Sequence, residues 1–354
     1  MLHWNRGRFG AAVHPANIIA SPSPDSRHNR LAALPGLGRV GCAGQLVPKP
    51  SEGSDTVMLL VQITDTHIVA PGALVYDRYD SAAGLRAAVA RVNTLPVRPE
   101  CVLVTGDLTH HGQKAEYDHF LEIMGGLRVP WHAIPGNHDI RDPFLAAMAG
   151  HLGDTHLTGF GQFAVDVGPL RVIGLDTLHD GHHDGTFCTQ RLAWLESELT
   201  ATEGRPVVLA MHHPPFATGV RWMDMMNLDW TGPLEALVAR FPNVQAVLCG
   251  HVHRPITTRW AGTVARICLG TSYQVAPDLA GPDPHLCADP AAIGLVSWDG
   301  QRVITDVLPI GADPEPLQLM QPDMMAKLAA YAEAHGGIIP KDVNNRVRGL
   351  SRDA

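Results

Sequence analysis

No stretch of the 354 residues approaches the roughly 20 consecutive apolar side chains that a membrane-spanning helix needs, so the sequence offers a membrane nothing to hold. A long Lys/Arg run is also missing. With 27 Lys and Arg against 35 Asp and Glu, the net charge of −8 argues against a stable nucleic-acid partner held by neutralising many phosphates. A small anionic substrate stays compatible with this acidity, because bound cations can make an acidic protein locally positive. No CxxC pair occurs among the 6 cysteines, Cys42, Cys101, Cys188, Cys249, Cys268 and Cys287. Several lie in apolar runs such as CVLVTGD and VLCG, so they read as buried free thiols of a reducing, cytoplasmic compartment. Internal repeats are absent too. What is present is a 45% hydrophobic chain long enough for one large domain with at most a small appendage.

Residues 1–57 mix Pro, Gly, Ser and Arg without sustained periodicity, and the apolar patch AAVHPANIIA is interrupted by His14, Pro15 and Asn17. The segment reads as a disordered extension and lacks the uninterrupted apolar stretch of a secretory signal. Met58 opens the run MLLVQI, and it is expected to be the true start, with the preceding residues lying upstream of it. An intact mass of the native protein that included residues 1–57 would overturn this.

From Met58 onward, short runs rich in Val, Ile and Leu alternate with longer helical patterns, as in a layered α/β domain. The predicted strands are LLVQIT, CVLVTG, WHAIPG, FAVDV, LRVIGLD, PVVLAMH, VQAVLCG, TVARICLG, AIGLVSW and RVITDVL. Helices are predicted near Ala82 to Asn93, Ala115 to Gly125, Gln190 to Thr200 and Pro233 to Arg240. The domain is expected to span 58–310, with a small cap or dimer segment near 219–230. Residues 311–354 follow as a helix, Asp323 to His335, and a polar, basic tail.

The chemistry-bearing motifs share one address, the loop leaving the C-terminal end of a predicted strand, where α/β folds bind ligands. Asp65 and His67 in TDTH stand two apart, and extended backbone would put both side chains on one side, able to share a metal. Alone, such a pair is an ordinary polar loop. Asp107 follows Gly106, and its two carboxylate oxygens could bridge two metals, although Gly-Asp is a common turn pair. In GNHD, Asn137 can offer a neutral carbonyl oxygen to a metal, and His138 is placed to donate a proton or stabilise charge. His251 and His253 in GHVH repeat the two-residue spacing, and neutral imidazole is the commonest side-chain metal ligand. In MHHPP either histidine can serve as the ligand; His212 is favoured, with His213 beside it as a neighbour or as support for the ligand. Singly these signals are weak to moderate; together, in this order and all at strand ends, they are specific.

The combination DxH, GD, GNH[DE], H and GHxH resembles the calcineurin-like metallophosphoesterase superfamily. The runs MLLVQITDTH, GDLTHHGQKAEY, IPGNHD, MHHPPF and RFPNVQAVLCGHVH resemble its bacterial glycerophosphodiesterase and class III cyclic-nucleotide phosphodiesterase branch. The resemblance covers about residues 58–310 and implies a four-layer αββα sandwich, a dinuclear metal centre and often a homodimer or larger assembly. It assigns Asp65, His67, Asp107 and His253 to one metal and Asp107, Asn137, His212 and His251 to the other. Asp107 then bridges, Asp107 and His138 are catalytic, and Asn137 and His138 touch substrate. His110 departs from the pattern, since relatives more often carry Asp or Asn after GDLT.

Nitrogen and oxygen donors without thiolate suit two divalent ions of Fe, Mn, Zn or Co. Two divalent cations, two carboxylates and a bridging hydroxide leave one net positive charge to meet a monoanionic phosphodiester. The implied reaction is in-line attack of a metal-bound hydroxide on glycerophosphodiesters or 3′,5′-cyclic nucleotides such as cAMP. A phosphomonoesterase on the same ligands is the enzymatic alternative. A nuclease would need a basic groove, and a non-catalytic scaffold would show degenerate ligands. The loop H179-D180-G181-H182-H183-D184 lacks regular ligand spacing and reads as solvated. The apolar segment from Trp222 to Trp230 reads equally as cap or as core, and Arg254 as a phosphate contact or as surface.

Overall fold

The first strand begins where the motif-bearing sequence begins. The computed structural model describes residues 58–153, 155–277, 284–311, 322–337 and 339, all within the unit Asp55–Ala354. The expected extension 1–57, Cys42 and most of the tail lie outside the described residues.

In chain order the elements are β1 (Met58–Ile63), α1 (Ser81–Asn93), β2 (Cys101–Thr105), α2 (Lys114–Met124), β3 (Trp131–Ile134) and α3 (Arg141–Met148). There follow β4 (Thr155–His156), β5 (Phe163–Val167), β6 (Leu170–Leu175), α4 (Thr189–Ala201), β7 (Val207–Met211), α5 (Thr231–Val238) and β8 (Val244–Cys249). The last are β9 (Thr257–Trp260), β10 (Thr263–Ile267), β11 (Gln274–Val275), β12 (Leu286–Cys287), β13 (Ala292–Trp298), β14 (Val303–Pro309) and α6 (Pro322–Ala334).

Two sheets carry the domain. One has the order β14-β13-β1-β2-β3 and the other β4-β5-β6-β7-β8-β10-β9, while β11 and β12 pair with each other. The centre of each sheet is parallel, β1-β2-β3 in one and β6-β7-β8-β10 in the other. Such strands are covered on both faces and read as continuous apolar runs, which is how β2 (CVLVT) and β7 (VVLAM) come to be buried at every position.

Three apolar layers give the sandwich its order. Val61, Val102, Val104 and Ala133 meet α1 and α2 through Leu85, Val89, Phe120 and Ile123. Leu60, Leu103 and Val296 of the first sheet meet Val172, Val208, Ala246 and Leu248 of the second. On the far side, Ile173, Leu209 and Val247 meet Leu195, Leu199, Leu234 and Val238 of α4 and α5. The architecture is therefore the four-layer αββα sandwich implied by the resemblance. Leu60 lies at the centre of the inter-sheet layer, where truncation to Ala costs about 2–5 kcal/mol.

Local signals explain the helices. The Asp80 carboxylate accepts the Ala83 amide at 2.8 Å and caps α1. Glu116 in the first turn of α2 accepts the Gln113 amide at 3.2 Å and the His111 amide at 2.9 Å. The four expected internal helices and the C-terminal one form within a residue or two of their predicted bounds. Helix α3 was not expected, because RDPFLAAM is only two turns long and contains Pro143, which the first turn tolerates. Strand β9 was missed because TTRW is polar and sits at a sheet edge. Of the described cysteines none is paired; Cys101, Cys249 and Cys268 are buried as expected, Cys287 is half-buried, and Cys188 is exposed. Among the described residues no helix is long and apolar enough to cross a membrane.

Candidate metal centre

The parallel registers Ile63↔Val104 and Thr105↔Ile134 align the C-terminal ends of β1, β2 and β3. Buried Gln62 joins them to the second sheet, donating to Thr105 Oγ1 and to the Cys249 carbonyl at 2.9 Å each. The loops after β1, β2, β3, β7 and β8 consequently meet at one edge, bringing together Asp65, His67, Asp107, Asn137, His138, His212, His251 and His253.

The local backbone differs from the extended geometry expected at Asp65/His67 and His251/His253. Asp65 (φ 51°), His67 (φ 43°), Asp107 (φ 50°), His251 (φ 73°) and His253 (φ 49°) are all left-handed. That region is sparsely populated by residues other than glycine and is held only where the surroundings over-determine it. Here the Asp65 amide donates to the Gly106 carbonyl at 3.1 Å and the His67 amide to the Asp107 carbonyl at 2.9 Å. The His251 amide donates to Asp65 Oδ1 at 2.9 Å. Gly106 (φ +95°) also lies against the His212 ring, where a Cβ would collide with it.

The side chains converge on two adjoining sets. In the first, His253 Nε2 is 3.2 Å from Asp65 Oδ1 and 3.1 Å from His67 Nε2. In the second, Asn137 Oδ1 is 3.1 Å from His212 Nε2 and 2.8 Å from His251 Nδ1. Asp107 Oδ2 stands between them, 3.6 Å from His67 Nε2 and 3.4 Å from His212 Nε2. Backbone carbonyls fix two of the rings: His212 Nδ1 donates to Thr105 O and His253 Nδ1 to Tyr273 O, both at 2.9 Å. Each therefore turns Nε2 toward the cluster. His213 Nδ1 lies 2.8 Å from Thr177 Oγ1, while its ring packs 4.8 Å from that of His251 and a ring nitrogen stays within 4.8 Å of those of His212 and His251.

Burial and charge act against each other in this cluster. Burial raises the Asp65 carboxyl, but His253 outweighs it and leaves Asp65 below the usual carboxylate range. Burial likewise opposes ionisation of Asp107, and His212 with His138 brings it well below that range. The reciprocal effect appears on the imidazoles. Burial disfavours charge on His212, yet Asp107 pushes it up to about 9, and Asp65 raises His253 in the same way. Burial and the neighbouring His212 drive His251 down to about 3, and burial with His138 holds His67 well below the ordinary imidazole value. Ionised carboxylates beside imidazoles of which His67 and His251 are held neutral form a donor set suited to divalent cations. Binding an ion would displace the protons that Asp107 and Asp65 favour on His212 and His253.

Some contributors had no role assigned from the sequence. Asp139, also in GNHD, is buried and accepts Leu108 N at 3.1 Å and Gly136 N at 2.9 Å on one oxygen. Its other oxygen takes Thr109 N at 3.3 Å, Thr109 Oγ1 at 3.1 Å and Tyr117 OH at 2.9 Å. It thus ties the Asp107 loop to the Asn137 loop; its acidic type next to His138 was the only available signal. His110 stacks on His138 (4.9 Å, 19°), and its Nδ1 is 3.3 Å from His67 Nδ1. Tyr76, 59% exposed, stands edge-on to His110 at 5.2 Å. The apolar segment reaches the cluster as well, with Met226 Sδ 3.3 Å from His251 Nε2. Arg254 instead pairs with Asp289 at 2.6 Å. His183 of the 179–184 loop lies with Nδ1 3.3 Å from Asn137 Nδ2.

Residues 58–255 match the model of the calcineurin-like phosphoesterase family, more than half of the chain. The chain belongs to that family. A calcineurin-like phosphoesterase uses divalent metals, and the clustered Asp and His side chains of this one fit such ions. Among its relatives, a probable cyclic nucleotide phosphodiesterase of Rhodopseudomonas palustris is 37% identical over 70% of this chain and 90% of that protein. A probable glycerophosphodiester phosphodiesterase of Arcobacter nitrofigilis is 33% identical over 70% of this chain and 91% of that one. The 3′,5′-cyclic adenosine monophosphate phosphodiesterase of Escherichia coli K12 is 30% identical over 66% and 82% respectively. A dimetal phosphatase from Danio rerio shares the fold, with a TM-score of 0.55 at 18% identity over 72% of this chain and 97% of that chain.

Proposed function

We propose that this phosphoesterase hydrolyses small phosphodiesters, glycerophosphodiesters or 3′,5′-cyclic nucleotides, at a dinuclear metal centre. The chain is a phosphoric diester hydrolase. The observation that carries the dinuclear reading is the position of Asp107 Oδ2 between His67 Nε2 and His212 Nε2, at 3.6 and 3.4 Å. Asp65, His67, Asp107 and His253 would hold one ion, and Asp107, Asn137, His212 and His251 the other. When bound, two such ions, of Fe, Mn, Zn or Co, lower the pKa of water and stabilise the entering and leaving oxygens of an in-line displacement.

The chain's own groups do the rest. Asn137 and His138 orient the phosphoryl oxygens. His138 Nδ1 donates to the His110 carbonyl at 2.9 Å, which leaves Nε2 to deliver a proton to the departing alkoxide. Exposed Tyr76 beside His110 offers a flat aromatic surface at the rim, and this favours a substrate with a base, a cyclic nucleotide, over a glycerol ester. The catalytic domain is assigned to residues 58–310, with 219–230 as a small cap or dimer segment. A cytoplasmic location is supported by the five described cysteines, which are unpaired, and a homo-oligomer by the family resemblance.

The deciding experiment compares bis(p-nitrophenyl) phosphate with p-nitrophenyl phosphate on Mn²⁺-reloaded protein, with Asp107→Ala as the blank. Metal-dependent preference for the diester supports the reading and leads to cAMP and glycerophosphodiesters. Preference for the monoester moves the chain to the phosphatases, and parity with the blank restores the scaffold alternative.

A further inference from the structure

Outside the centre, one group of side chains has the makings of a second metal site. The loop that follows β6 carries H179-D180-G181-H182-H183-D184. Its first four residues form a turn closed by the His182 amide on the His179 carbonyl at 2.9 Å, which Gly181 permits with φ +78°. The turn brings the His179 and His182 rings into a stack at 3.9 Å and 16°. Asp184 Oδ1 lies 3.2 Å from His179 Nδ1, and one donor atom from each of His179, His182 and Asp184 falls within 4.8 Å of the other two.

This arrangement is anchored from below. Asp180 accepts Arg141 Nε at 3.0 Å, and the Leu178 carbonyl accepts Arg141 Nη2 at 2.8 Å and Arg191 Nη1 at 3.4 Å. Arg141 also pairs with buried Asp176. At the base of the loop the Thr186 amide returns to the Thr177 carbonyl at 3.0 Å. The donors are thus held before any ion arrives, which removes much of the ordering cost of binding. A single divalent cation meets all three donors at once.

We propose that His179, His182 and Asp184 form a third, exchangeable cation site, separate from the dinuclear centre. Two imidazoles and one carboxylate select ions of the Zn, Co, Ni or Cu class over Mg or Ca, and the half-exposed position leaves coordination places open to water or to an anion. Its setting suggests a use. Asp184 lines the same cavity as His213, Met226 and His251, and His183 in the same loop touches Asn137. A cation there adds positive charge to the wall of the substrate cavity of an acidic protein and draws in an anionic substrate. That use rests on the phosphodiesterase reading; the ion site itself does not.

The test counts metal. The full chain and the His179→Ala/His182→Ala variant are stripped, dialysed to equilibrium against micromolar Zn²⁺, and analysed by mass spectrometry of the elements. The variant is expected to hold about one ion per chain fewer than the wild type, keep the remaining metal, and show a several-fold rise in KM with kcat retained. Equal metal content in the two proteins overturns the site, and so does loss of all metal from the variant, which would make the loop a support of the centre. A difference of one ion with no hydrolysis by either protein upholds the site and rejects the phosphodiesterase reading instead.

Discussion

His67 and His253 face each other through their Nε2 atoms at 3.1 Å, across a gap that Asp65 Oδ1 also borders at 3.2 Å from His253. Because His253 Nδ1 is committed to the Tyr273 carbonyl, its Nε2 holds a proton only in the charged ring. Two imidazole nitrogens and a carboxylate at such distances are better satisfied by a cation than by each other. Stripping the metal is therefore expected to lower the thermal midpoint, and reloading Mn²⁺ to restore it. At a hundredfold excess over Kd the bound ion adds about 2.7 kcal/mol of stability. A midpoint that chelator leaves unchanged would remove the metal from this gap.

The charge on His212 gives the pH dependence of the stripped protein. Asp107 raises His212 from 6.5 to about 9 against the effect of burial, so the folded form binds a proton that the unfolded chain has released. The stabilisation from this group is fully present below pH 6.5 and is lost as pH rises through about 9. Thermal midpoints of stripped wild-type protein should fall across this window, and those of stripped His212→Gln should fall less. Metal uptake near pH 7 should release protons, visible as a dependence of binding enthalpy on the buffer's ionisation enthalpy.

The site was legible in the sequence because each of its donors sits at the end of an apolar run whose strand character is unambiguous. Asp65, Asp107, Asn137, His212 and His251 follow β1, β2, β3, β7 and β8 within two or three residues. The conformation of those loops was not legible. Nothing in TDTH or GHVH reveals left-handed backbone, since it is imposed by hydrogen bonds to the Gly106 and Asp107 carbonyls and to the Asp65 carboxylate. The same holds for Asp139, whose donors come from Leu108, Thr109 and Tyr117, some 20 to 30 positions away in the chain. The 179–184 loop reads as solvated because it lacks regular ligand spacing; what brings His179, His182 and Asp184 together is the turn closed by the His182 amide, which spacing alone does not foretell.

His138 touches both sides of the proposed chemistry, its amide on Asp107 Oδ1 at 2.9 Å and its ring on the His110 carbonyl. Replacing it with Ala keeps the amide and removes the ring. Turnover is expected to fall by about 10²–10⁴ with metal content unchanged, as for loss of a general acid. Loss of metal along with turnover would make His138 a ligand or a structural residue.

Asp139→Asn tests the clamp between the two loops. An amide cannot accept on both of its polar atoms, so either orientation sets its NH₂ against a backbone donor: Thr109 N on one side, Leu108 N and Gly136 N on the other. A buried conflict of this kind costs about 1–3 kcal/mol. Denaturant midpoints should fall accordingly, and metal affinity should weaken because Asp107 and Asn137 sit on the displaced loops. Unchanged midpoints would mean that Asp139 is protonated and dispensable.

Tyr76 bears on substrate choice. It is exposed, its backbone is left-handed with φ 52°, and its ring stands 5.2 Å from His110 and 6.1 Å from buried Tyr273. An exposed ring in a disfavoured backbone conformation beside the centre gains little from its own packing, and a base stacked on it would add about 1–3 kcal/mol of binding. Tyr76→Ala is therefore expected to raise KM for cAMP by about tenfold or more, while leaving that for a glycerophosphodiester within about twofold. Equal changes for the two substrates would show that the ring serves the loop rather than a base. A larger effect on the glycerol ester would overturn the substrate preference argued from this residue, because an ester without a base has no flat ring to stack on the aromatic face.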